Sequence, residues 1–377
     1  MKNIVVIGNG SDRALELPTR YVDFMSIVNA YDSAIRDSRM TNLSDFLGEF
    51  RDTYVEKYAR DYLNRRLGLS NGEEDPEIEK LEPLFTAKRN NFWLLLYGAL
   101  VDEEREALSR GESIGSWTDF EWEMEQVLLT IYEAMEKGEI TFGYKRVCSE
   151  QTKGTLNQIL SFFNQAHSKI KDINQMIQWL ERDLYQFKHC LNLYLEAFVN
   201  APMRDGFVHE QVPQLVQIKI DKLISFNYTS TYQLLYDSNV EVDYVHGIAD
   251  ITHTIETSNI VLGIENELLD SDDAKRVLFS GFQKSWQRLM YGTEKMYKDW
   301  ISSEYNLFIY GHSLGVRDRS ILRELILNEH NKSTTIYCLN RYAEDQCKKN
   351  LILILGGEVL RQKLSNKMLQ FVNLQGT

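Results

Sequence analysis

The chain has 377 residues, 43% hydrophobic and 26% charged, an ordinary globular mixture rather than a disordered one. Its formal net charge of -13 argues against a broad basic face for wrapping DNA or RNA, but leaves room for a small anion pocket made of backbone amides. At this length the chain can bury one large core or two moderate ones.

The opening Met-Lys-Asn runs straight into IVVIG, a buried-strand pattern without a secretory cleavage site. The longest apolar run, Phe92 to Leu100, is far short of the roughly 20 residues that span a bilayer. Cys148, Cys190, Cys338 and Cys347 are scattered, with no CxxC, and the histidines form no HExxH. A cytoplasmic protein with neither membrane nor metal is the expectation.

From about Tyr21 to Pro202 apolar residues recur at three- and four-residue spacing, predicting helices. The clearest are TDFEWEMEQVLLTIYEAMEKGEI, closed by Gly138, and KDINQMIQWLERDLYQFKHCLNLYLEAFV, closed by Asn200–Pro202. Ser70 to Lys80 reads as an acidic, solvated loop. Beyond about residue 216 short apolar runs bounded by Gly, Asn and Ser predict strands: QIKIDKLISFNYT, VDYVHG, SNIVLGI, YNLFIYGHSL and TTIYCLN.

The lone early strand at residues 3–7 must pair with this distant set. An α/β fold follows: a doubly wound, mostly parallel, Rossmann-like sheet interrupted by a large all-helical insertion. The expected division is a nucleotide-binding domain of residues 1–25 and 206–377, with residues 26–205 as the insertion. Ligands of such sheets bind at the carboxyl ends of strands. Five strand ends carry polar or glycine residues: Gly8-Asn9-Gly10-Ser11-Asp12, Asn227-Tyr228-Thr229, His246-Gly247, Gly311-His312-Ser313-Leu314-Gly315 and Asn340.

Gly8-Asn9-Gly10 sits between a strand and a helical pattern, where glycines let backbone approach a phosphate; Arg13 stands where GxGxxG would have its third glycine. Gly311 to Gly315 match the GxSxG nucleophile elbow, which needs a later acid and histidine. Only His330 follows, in a helical stretch, so Ser313 is read as a nucleotide contact rather than a nucleophile. Asn227 and His246 end strands at the same edge, and His246 is the candidate general base, with activity expected to fall as a group near pKa 6.5 is protonated. Asp119 and Glu121 open a long helix, where acid favours the helix dipole, and two-residue spacing keeps them off a common face.

Taken together, IVVIGNGSDRALELPTRYVDF, WTDFE, FNYT, HG and GHSLGVRD with Asp318 resemble, in order, the blocks of the AbiH family of bacterial anti-phage abortive-infection proteins. Ser11 stands where that family usually has Phe, and Leu15-Glu16 replace a His-Gly pair. The same blocks are remotely similar to the sirtuin nucleotide fold. That resemblance would align Gly8 to Ser11 with its Gly-Ala-Gly turn, Asn227 with a strand-end Asn, and His246 with the catalytic His. It would set Gly311 to Leu314 against Gly-Thr-Ser-Leu, and Asn340 against the Asn that holds the adenine ribose. Thr229 replaces an Asp that would contact nicotinamide, and the zinc cysteines are missing, which turns the implication from deacylation to glycohydrolase chemistry.

The resemblances imply an abortive-infection effector that binds NAD or a related nucleotide and cleaves the nicotinamide–ribose bond, with Asn227 and His246 catalytic. Gly8 to Asp12, Gly311, His312, Ser313, Asp318 and Asn340 would hold the nucleotide. The alternative is a nucleotide-binding sensor or regulatory module without chemistry; an esterase using Ser313 comes third. The partners implied are a nucleotide, with room for a phage-derived trigger and a homo-oligomer.

Overall fold

Both faces of the opening strand are covered, which is why its run is continuously apolar rather than alternating. In β1 (Lys2–Ile7) the side chains of Ile4 and Val6 join one apolar cluster, and those of Val5 and Ile7 join another on the opposite face. The structure, a computed structural model, describes residues 1–36, 54–69, 81, 83–84, 90–109, 120–136, 173–265, 277–293 and 296–375. The acidic stretch 70–80, Asp119, Gly138 and Cys148 lie outside the described residues.

The other strands are β2 (Lys222–Ser225), β3 (Val242–Tyr244), β4 (Tyr305–Tyr310), β5 (Asn331–Cys338) and β6 (Leu369–Asn373). All pairings are parallel, in the order β3-β2-β1-β4-β5-β6. Val5 pairs with Leu223 on one side and Phe308 on the other, so the first strand is the middle of a sheet whose other strands all lie between residues 222 and 373. This is the strand order of doubly wound dinucleotide-binding sheets, and it reverses between β1 and β4.

One expected strand is absent. Ile260, Val261, Leu262 and Ile264 of SNIVLGI are fully buried, yet the segment makes only an isolated bridge, Ile264 to Gln283. The Gln287 side chain takes the place of a neighbouring strand: its Oε1 accepts from Leu262 N and its Nε2 donates to Leu262 O, both at 2.9 Å. Backbone buried this way needs no ladder. β6 was not expected; LQFVN is short and half polar.

Among the described residues between β1 and β2 the regular structure is helical: α1 (Asn9–Arg13), α2 (Tyr21–Arg36), α3 (Tyr54–Leu69), α4 (Phe92–Ser109), α5 (Phe120–Glu136) and α6 (Ile173–Leu195). The helix α6 does not stop at Asn200–Pro202. It widens into a π turn over Glu196–Asn200 and resumes as α7 (Ala201–Arg204), with Pro202 in the first turn of the resumed helix, where its missing N–H is tolerated.

Apolar faces of these helices share one core with the later half of the chain. Phe24, Trp93, Tyr97, Phe120, Phe187 and Tyr194 gather with Ile260, Leu262, Phe279 and Phe282, and Phe120 stacks on Phe187 at 4.5 Å. The apolar run from Phe92 is core within α4. Among the described residues no helix is long and apolar enough to cross a membrane. α8 (Pro213–Gln217) leads into β2, and after β2 come α9 (Thr231–Leu235), α10 (Lys284–Tyr291), α11 (Met296–Trp300), α12 (Arg319–Leu327), α13 (Arg341–Leu355) and α14 (Gly357–Ser365).

Candidate functional site

At the reversal point the turns after β1 and β4 pack backbone against backbone. Gly8 N donates to Tyr310 O at 3.1 Å, and Gly10 N to Gly311 O at 2.7 Å. A Cβ on Gly10 would lie 2.7 Å from Gly311 O, and one on Gly311, which has φ 66, would lie 2.3 Å from Ser11 N. The glycines therefore serve the contact between the two turns, whatever else they hold. Asn9 is exposed and its Oδ1 accepts from the Thr19 hydroxyl, tying the opening turn to the Leu-Pro-Thr stretch.

Asn227 and Asp12 stitch the end of β2 to this turn. Asn227 Nδ2 donates to Gly8 O and Ser11 Oγ, both at 3.2 Å, and Asp12 Oδ2 accepts from Thr229 Oγ1 at 2.6 Å. Burial raises the Asp12 carboxyl to about 6, against the opposing pull of the Thr229 and Thr231 hydroxyls and Asn227. The remaining acceptors, Asp12 Oδ1 and Asn227 Oδ1, are buried and accept no hydrogen bond among the described residues.

Beside the turns lies a buried charged cluster with Asp318 at its centre. His246 Nε2 is 3.1 Å from Asp318 Oδ1, Lys284 Nζ 3.3 Å from the same oxygen, and His312 Nε2 3.4 Å from Oδ2. Each partner arrives by a different route. His246 follows β3 and packs edge-on against Phe226; a Cβ at the next residue, Gly247 (φ 79), would lie 2.0 Å from Asn259 O, so the close crossing there requires glycine. His312 Nδ1 accepts from Leu314 N at 2.9 Å, which places the ring proton on Nε2, facing Asp318.

Lys284 also reaches α5: its Nζ is 2.9 Å from Glu121 Oε2. Nearby, Tyr228 OH donates to Val261 O at 3.0 Å and lies 3.4 Å from Tyr21 OH. Burial lowers the His246 imidazole to about 4, outweighing the pull of Asp318. The imidazole is thus neutral at neutral pH, well below the ordinary value near 6.5. Burial alone would also depress Lys284, but Asp318 and Glu121 outweigh it and hold the ammonium above the usual lysine range. In return burial would raise Asp318, and Lys284 with His246 overcome that and hold it well below the carboxylate range. A neutral imidazole, a fixed carboxylate and a fixed ammonium form a set able to accept a proton and stabilise negative charge.

The helix carrying Lys284 is turned with its polar side inward. In α10, Lys284, Gln287 and Arg288 are buried, while Trp286, Leu289 and Met290 are 43%, 72% and 62% exposed. Leaving Leu289 and Met290 outside forgoes roughly 1.5–3 kcal/mol for each. The same inward side meets a second buried lysine, Lys188 of α6, whose Nζ donates to Tyr291 OH at 2.6 Å and lies over the Tyr185 and Tyr291 rings. Burial lowers Lys188 to about 7.

Other expected residues are placed apart from the cluster's contacts. Ser313 is exposed, and no side chain among the described residues bonds its Oγ; the strained backbone of this turn falls on Gly311 and on Leu314 (φ 55) instead. The Ser313 carbonyl accepts from Asn350 Nδ2. Asn340 caps α13, its Oδ1 accepting from Ala343 N at 2.9 Å. Glu121, read from sequence only as a dipole partner, is a buried member of the cluster. Lys284 carried no signal at all, since its pattern is that of an ordinary surface helix written inside out. A cavity of about 340 Å³, lined by Leu15, Glu16, Tyr58, Phe207, Val208 and Glu210, includes none of the Asp318 cluster. Among the described residues no group of His, Cys, Asp and Glu has the arrangement of a metal site.

A family model, bacteriophage abortive infection AbiH, matches residues 4–339, from the opening strand to the end of β5. The chain belongs to that family, which gives it a role in bacteriophage abortive infection. No curated protein and no solved structure matches it.

Proposed function

We propose that this member of the AbiH family acts in abortive infection by binding NAD or a related nucleotide where the strand order reverses, and hydrolysing its nicotinamide–ribose bond. The observation that supports this reading most is the convergence of His246 on Asp318 at 3.1 Å, beside the β1 and β4 turns. In such a sheet that edge is where a dinucleotide lies.

In the proposed reaction the ribose C1′–N bond breaks with its electron pair leaving on nicotinamide, through a cation-like sugar. Water adds to C1′, and His246 takes its proton, giving nicotinamide, ADP-ribose and a proton later returned to solvent. Asp318 steadies the imidazolium as it forms. Asn227 Oδ1 and Asp12 Oδ1, the two buried acceptors, suit a ribose hydroxyl or the water.

A second reading, a nucleotide-binding sensor or regulator without chemistry, has one observation in its favour. A base held near 4 is weaker than the near-neutral base that proton transfer at neutral pH favours. Purified protein incubated with NAD separates the two: free nicotinamide, measured over time, is expected from the hydrolase. Bound but intact NAD would leave the sensor.

A further inference from the structure

A nucleotide at this edge needs partners for its phosphates, and the glycine turn offers few. Gly311 fills the space that Gly8 and Gly10 open, and α1 is only five residues long. Cations stand close by instead. Lys284 touches Asp318, and Arg317 is the residue next to Asp318 in the chain; their side chains are 3% and 14% exposed.

Each of these cations faces a carboxylate from the same helix. Glu121 Oε2 is 2.9 Å from Lys284 Nζ, and Glu125 Oε2 is 3.8 Å from Arg317 Nη1, a charge contact beyond hydrogen-bond reach. Four residues apart, Glu121 and Glu125 share one side of α5. Carboxylate and phosphate oxygens accept from the same ammonium and guanidinium donors, so one can stand where the other binds.

We propose that Lys284 and Arg317 form the binding site for the nucleotide's diphosphate, and that Glu121 and Glu125 of α5 occupy it in this conformation in place of phosphate oxygens. The inference rests on the nucleotide reading above and names the residues that hold the anion. Two features argue that the pairs do more than fasten α5. That helix is already anchored by Phe120, Met124, Val127 and Leu128 in the shared core. Further, α10 presents Lys284 inward while leaving Leu289 and Met290 in solvent, an orientation that packing alone would reverse. Diphosphate binding and the docking of Glu121 and Glu125 then oppose each other, and by linkage each weakens the other equally.

The test is calorimetric titration of inorganic pyrophosphate, and in a second arm NAD, into the full chain and its variants, with thermal melting to confirm that each is folded. The double variant Glu121→Gln/Glu125→Gln is expected to bind pyrophosphate about tenfold tighter than the parent, within the range of ordinary coupling energies. Adding Arg317→Gln should remove that gain, and NAD should follow the same order. Equal or weaker affinity in the folded double variant, or no pyrophosphate binding by either protein, overturns the proposal. If the double variant does not fold, amide exchange in the parent decides. Saturating pyrophosphate should speed exchange across Phe120–Glu136, and unchanged or slower exchange there overturns the proposal. Pyrophosphate binding as expected without nicotinamide release would remove the hydrolase reading alone, whereas nicotinamide release without this order of affinities would remove this proposal alone.

Discussion

The turns after β1 and β4 and the cluster around Asp318 adjoin at one edge of the sheet, but they are built from opposite materials. The turns are neutral backbone, close enough for Gly10 N to bond Gly311 O at 2.7 Å. The cluster is side chains bearing charge, drawn from residues as far apart as Glu121, His246, Lys284 and Asp318. Glycine motifs announce themselves in a sequence because backbone contact tolerates no other residue. Charged clusters do not, because any lysine or glutamate in an ordinary helix can supply a member. Here the conspicuous letters mainly shape the edge, and the inconspicuous ones carry the charge.

The sharpest way to break this contrast is to remove the cluster's cation. Lys284→Met would leave Glu121 and Asp318 buried without it, a change expected to cost about 3–5 kcal/mol of stability. Denaturant unfolding at pH 7 measures it, and a loss under 1 kcal/mol would mean that the cluster is solvated in solution.

Lys188 should respond in the opposite sense. Its folded pKa of about 7 lies below the ordinary lysine value of 10.5, so the unfolded chain binds more protons between those limits. Stability associated with this group is therefore present above about pH 10.5 and lost as pH falls toward 7. Lys188→Met removes that dependence and is expected to raise stability at pH 7 by about 1–4 kcal/mol. Unfolding followed from pH 7 to pH 10 checks both the slope in the parent and its disappearance in the variant.

A smaller effect is expected from the turns. Gly10→Ala should cost about 1–3 kcal/mol through overpacking against Gly311, by the same amount with and without NAD. A variant that keeps its stability but loses NAD affinity would return the turn to the role of a ligand cradle.

Much of the fold could be read from the chain, for a physical reason. A continuous apolar run such as IVVI is stable only between two covered faces, so β1 had to find its partners more than 200 residues away. SNIVLGI misleads because burial and strand pairing are separate requirements, and the Gln287 side chain meets the second without a strand. Pro202 misleads because a π turn lets a helix pass through it. Within the site, His246 and Asp318 stood out at strand ends or in a familiar block, but the pKa of His246 did not. Burial moves it from about 6.5 to about 4, so the acid limb of any activity that depends on it is expected near pH 4.

The division between shaping turn and charged cluster is tested most directly by nicotinamide release from NAD at pH 7, comparing His246→Ala with Ser313→Ala. Loss of a general base should slow release roughly a hundredfold to ten-thousandfold in His246→Ala, while nucleotide affinity changes little. Ser313 is exposed and its Oγ bonds no described side chain, so Ser313→Ala should stay within about tenfold of the parent. The reverse order, with release abolished by Ser313→Ala and retained by His246→Ala, would contradict the account and make the turn after β4 the seat of the chemistry.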